Sequence, residues 1–70
     1  MSQFQEHEMV KLNHVLPESN LSKGSVGVVV MVYPESPQFY EVEFTDASGF
    51  TVSLQTLSEE SLDKYEKDYR

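Results

Sequence analysis

Residues 23–44 read K-G-S-V-G-V-V-V-M-V-Y-P-E-S-P-Q-F-Y-E-V-E-F, two candidate β-strands joined by a turn that Pro34 and Pro37 bracket. Five of the seven residues in 26–32 are valine. β-Branched side chains lose rotamer freedom in a helix and pack well on a pleated surface, so the run predicts a largely buried strand. The next segment alternates. Tyr40, Val42 and Phe44 fall on one face and Glu41, Glu43 and Thr45 on the other, the period-two pattern of a strand with one dry and one wet side. The stretch therefore predicts an all-β fold.

Upstream, residues 1–8 carry no apolar periodicity, which predicts a flexible N-terminal tail. Met9, Val10, Leu12, Val15 and Leu16 then open a first strand, with Val10 and Leu12 pointing inward and His14 in phase with them. Pro17, Asn20, Ser22 and Gly24 mark a loop whose one apolar residue, Leu21, is a candidate plug. Gly27, inside the valine run, predicts a bend or a close approach of backbone. Downstream, Asp46-Ala47-Ser48-Gly49 predicts a hairpin turn with Gly49 at a positive φ. Phe50, Val52 and Leu54 alternate with Thr51, Ser53 and Gln55, which predicts a half-buried strand whose apolar set faces inward and whose polar set continues the face of Glu41 and Glu43.

The C-terminal segment supports two readings. Glu60/Lys64, Asp63/Lys67 and Glu66/Arg70 have helical i,i+4 spacing, and Leu62, Tyr65 and Tyr69 would share a helical face. A barrel of four to five antiparallel strands, however, needs a last strand beside the first. That need favours a single helical turn over residues 58–61 followed by a short strand. Residues 9–66 then form one domain, with residues 67–70 as a C-terminal tail.

Seventy residues allow one domain at most, and a chain of this size buries only about 60% of the surface that its unfolded form exposes. Cysteine is absent from the sequence, which excludes disulfides and thiolate metal sites. Twelve acidic residues against five basic ones give a formal net charge of −7, and that charge repels nucleic acid and anionic lipid surfaces. No apolar run is long enough to span a bilayer and residues 1–8 do not read as a signal peptide, so the expected location is cytoplasmic.

The order V-x-L at Val10, then Leu16-Pro17-Glu18, L-x-x-G-x-x-G from Leu21 to Gly27, V-x-V-Y ending at Tyr33, Y-x-V-E-F from Tyr40, D-A-x-G-x-T from Asp46 and T-L-x-x-x-x-L ending at Leu62 resembles a domain-of-unknown-function family of short bacterial proteins. The resemblance runs from Met9 to Leu62 and is most specific from Tyr40 to Thr51. It departs at Val15, where such proteins commonly carry an acidic residue, and in the longer charged tail. It implies a small SH3-like barrel. It also implies an accessory or antitoxin-like protein, with no established activity, whose partner is often encoded nearby.

Chemistry-bearing residues do not assemble into a catalytic set. His7 lies between Glu6 and Glu8, but neighbouring side chains on a short tail do not converge on a metal as three or four ligands must. Glu41 and Glu43 project from one strand face roughly 6.5 to 7 Å apart, on an open, solvated surface rather than in a cleft where paired carboxylates do acid–base work. The serines fit no nucleophile elbow, and Lys23-Gly24-Ser25 lacks the spacing of a phosphate loop. The expectation is a non-enzyme without cofactor or metal.

Recognition remains. Tyr33, Glu35, Phe39, Glu41, Glu43, Asp46 and Phe50 combine aromatic area with negative charge, which predicts a docking face for a basic protein. The expected function is thus a protein-binding module, as a regulatory or antitoxin-like subunit, monomeric or weakly dimeric. The alternative is a structural or assembly subunit that associates through a strand edge. Direct nucleic-acid binding ranks below both.

Overall fold

The computed structural model describes residues 3–36 and 38–66. Five antiparallel strands form one sheet: β1 (Met9–Leu12), β2 (Val26–Val32), β3 (Phe39–Thr45), β4 (Thr51–Ser58) and β5 (Leu62–Lys64). Their order across the sheet is β4-β3-β2-β1-β5. The helical turns among the described residues are short 3-10 turns, at Pro17–Ser19 and Glu59–Ser61. The expected all-β fold, with a helical turn and then a short last strand, is the observed one, and residues 62–64 are not helical. The i,i+4 partners Lys67 and Arg70, the aromatic Tyr69 and the rest of the expected 67–70 tail lie outside the described residues, as do Met1, Ser2 and Pro37.

Connectivity forces the sheet to roll. β4 and β5 are its opposite edges, yet only Glu59–Ser61 separates them in the chain. Four strand spacings in a flat five-stranded sheet would set those edges roughly 19 Å apart, whereas the four residue steps from Ser58 to Leu62 advance only about 8 Å in a 3-10 turn. The turn is held to the end of β1 by Asn13, whose backbone N–H donates to the Ser61 carbonyl at 2.9 Å and whose Nδ2 donates to the Glu60 carbonyl at 2.8 Å.

The concave side holds the core, built from Val10, Leu12, Val29, Tyr40, Val42, Phe44, Leu57 and Leu62, with Phe4 and Leu21 added from outside the sheet. Gly27 lies opposite Phe44 on this side. A Cβ there would come within 2.7 Å of Val42 Cγ1 and 2.9 Å of the Glu43 carbonyl, so the glycine serves close approach. The bend is elsewhere: the pairing of β2 with β3 shifts between Val29 and Met31, leaving Val30 as an extra residue. Gly49 has φ +88°, as its turn requires.

Two expectations about β1 and its approach give way. His14 is exposed, because β1 ends at Leu12 and the in-phase pattern does not continue. Residues 3–8, expected as part of a free tail, pack against the sheet instead. Phe4 is only 1% exposed. Its ring meets that of Tyr40 edge to face, and its N–H donates to the Tyr40 hydroxyl. His7, at φ +72°, donates its N–H to the Val29 carbonyl at 2.6 Å, and Val29 donates back to the Glu8 carbonyl at 2.9 Å. One buried ring and this reciprocal pair offset the chain entropy that would otherwise fray a terminus.

Candidate docking face

The convex side of β2, β3 and β4 gathers the expected docking residues. Phe39, Glu41 and Glu43 project from β3 on this side, opposite to the buried Tyr40, Val42 and Phe44. Cross-strand partners share a face in an antiparallel pair. Glu41 therefore sits between Met31 and Thr56, and Glu43 between Val28 and Leu54. Met9 extends the second row from β1, opposite Val28.

Both carboxylates are oriented by hydroxyl groups. Glu41 Oε1 accepts from the Tyr33 hydroxyl at 2.9 Å and from Thr56 Oγ1 at 2.7 Å. Glu43 Oε2 accepts from the Thr51 hydroxyl. β2, β3 and β4 contain no lysine or arginine. Neutral donors fix where these charges point and leave them formally unneutralised.

The seven expected residues do not form one patch. Tyr33, Phe39, Glu41 and Glu43 come together, and Glu35 stands exposed in the β2–β3 turn beside them. Asp46 and Phe50 lie past the far end of β3, which is about 20 Å long. Asp46 is a turn-former: its Oδ1 accepts from the backbone N–H groups of Ser48 at 2.9 Å and Phe50 at 3.0 Å. Phe50 is 73% exposed at that turn.

The apolar part of the face was not foreseen, because β4 has the opposite phase from the expected one. Ser53, Gln55 and Leu57 lie opposite Phe44, Val42 and Tyr40 on the concave side. Leu54 lies opposite Glu43, and Val52 is the extra residue where the register shifts. Val52 and Leu54 are each 55% exposed, against 7% for Leu57. Parity is the reason: in a regular strand Leu54 and Leu57 cannot both face inward, and burying Leu57 turns Leu54 to solvent. That conflict was present in the sequence and would have exposed the error.

Among the described residues no pocket opens, and no group of three or more His, Cys, Asp or Glu is placed to hold a metal. No helix there is long and apolar enough to cross a membrane. His14 Nδ1 lies 3.0 Å from the Val15 carbonyl, in an exposed position.

Comparison with known proteins returns one family. Its model, described as a domain of unknown function (DUF4926), matches residues 6–64. No curated protein and no solved structure matches the chain.

Proposed function

The chain belongs to this DUF4926 family, and on that premise we propose a non-catalytic protein-binding module that docks a basic partner on the convex face of β2, β3 and β4. The observation that carries the reading is the pairing of charge with apolar area. Glu41 and Glu43, held by hydroxyls and unaccompanied by cations on their own three strands, lie among Met31, Phe39 and Leu54, all of them exposed. Preset carboxylates steer a cationic partner and fix its orientation, while exposed apolar side chains supply area to desolvate. The sheet order and the 3-10 turn before the last strand support an SH3-like barrel. The role that fits is a regulatory or antitoxin-like subunit acting in the cytoplasm on a basic protein, one encoded nearby under the family resemblance.

The test is affinity capture from a cell extract on immobilised wild type and on Glu41→Lys/Glu43→Lys, with Glu18→Lys/Glu60→Lys as a control of equal charge change at exposed sites off the face. A basic protein that the wild type and the control retain, that the first variant loses, and that salt elutes is the expected result. Equal retention by both double variants would refute the face.

A further inference from the structure

The two edges of the sheet are built differently. β5 is three residues long and carries Asp63 and Lys64, so it offers little to a passing strand. β4 runs for eight residues, T-V-S-L-Q-T-L-S, without a charge, a proline or a glycine. Among the described residues its backbone pairs only with β3. Edges of this length are normally blunted by lysine, proline or a cover, because their unpaired N–H and C=O groups template another strand. Among the described residues a single bulge at Val52 is what interrupts this one.

The direction of the free groups follows from one bond. Glu59 N–H donates to the Gln38 carbonyl at 2.7 Å, and bonded and non-bonded pairs alternate along an antiparallel ladder. Leu57, Gln55 and Ser53 therefore bond to β3, and Leu54, Thr56 and Ser58 turn their backbone groups outward.

We infer that β4 pairs antiparallel with β4 of a second copy of this chain, joining two sheets into one of ten strands. Charge selects this occupant. A cationic strand would find no carboxylate on β4 to pair with, whereas two copies of this uncharged strand set no like charges opposite each other. The nearest carboxylates, Glu41 and Glu43 on β3, would lie about 14 Å from their mates across three strand spacings, beyond the screening length of about 8 Å at physiological salt. The two-fold axis passes through Gln55, which overlaps seven residues of the strand, keeps the bulge at Val52 at the end of the pairing and sets Leu54 opposite Thr56 of the second copy. The convex face stays open in this arrangement, so the inference does not depend on the docking reading.

Light scattering on the whole protein tests it. The wild type is expected to pass from monomer to dimer mass between about 10 µM and about 1 mM, as suits an interface smaller than roughly 1,200 Å². Leu54→Lys/Thr56→Lys, at exposed positions, sets lysine opposite lysine and is expected to stay monomeric throughout, with an unchanged circular dichroism spectrum. Since the chain contains no cysteine, Gln55→Cys supplies one thiol per copy, and mild oxidation is expected to link two chains through it faster than through Ser48→Cys in the exposed β3–β4 turn. A wild type that remains monomeric at the highest concentration overturns the inference. So does a lysine variant that dimerises like the wild type, or equal cross-linking at both cysteines.

Discussion

The hydroxyl of Tyr40 accepts the backbone N–H of Phe4 at 3.2 Å while the two rings meet edge to face, with centroids 5.5 Å apart. The same hydroxyl accepts the Gln3 N–H at 3.1 Å and donates to Glu59 Oε1 at 2.9 Å. One atom thus joins the start of the described chain, the middle of the sheet and the 3-10 turn that lets the sheet roll.

Phe4→Ala should therefore lower stability by about 3–5 kcal/mol, the usual loss for an emptied aromatic core site. Tyr40→Phe keeps the ring but leaves the buried Phe4 N–H without its acceptor, for about 1–3 kcal/mol. Urea denaturation measures both. An effect of Phe4→Ala within about 0.5 kcal/mol would mean that residues 3–8 are a tail after all.

The phase of β4 is tested by a contrast. Leu57→Ala should destabilise by about 2–5 kcal/mol and Leu54→Ala by less than about 0.5. The inverse order in thermal unfolding would restore the phase expected from Phe50, Val52 and Leu54.

Gly27→Ala should lower stability by about 1–3 kcal/mol, because its methyl group would press on Val42 and on the Glu43 carbonyl. A neutral Gly27→Ala in chemical denaturation would show that β2 and β3 part easily at this point.

Asp46→Ala should act on the fold and spare docking. It removes two turn bonds, for about 1–2 kcal/mol, and should leave retention of a basic partner unchanged in the capture experiment. Lost retention in a folded Asp46→Ala protein would return this residue to the docking face.

Much of the architecture was legible in the sequence. The valine run and the clean alternation of Tyr40, Val42 and Phe44 marked two strands and separated core from surface, since on β3 both constraints agree. β4 misled because its apolar residues occupy both parities, and cross-strand pairing with β3, a non-local property, decides which set is buried. Phe4 misled for another reason. A single apolar residue in a polar run has no periodicity, so only the cavity it fills identifies it. The carboxylates of the candidate site were found by alternation, and their apolar neighbours Val52 and Leu54 were lost with the phase of β4.

The seam between β1 and β5, where Val10 meets Lys64 and Leu12 meets Leu62, dictates an order of assembly. β2, β3 and β4 are consecutive neighbours that close through short turns, so their loop entropy is small and they form early. β1 finds its outer neighbour only when the far end of the chain arrives, and Phe4 finds its socket only once Tyr40 and Glu59 are both in place. Leu62→Ala and Phe4→Ala should then quicken unfolding and barely slow folding, while Val42→Ala should slow folding, in stopped-flow refolding. The N-terminal flank of the barrel would be the last part of it to become native.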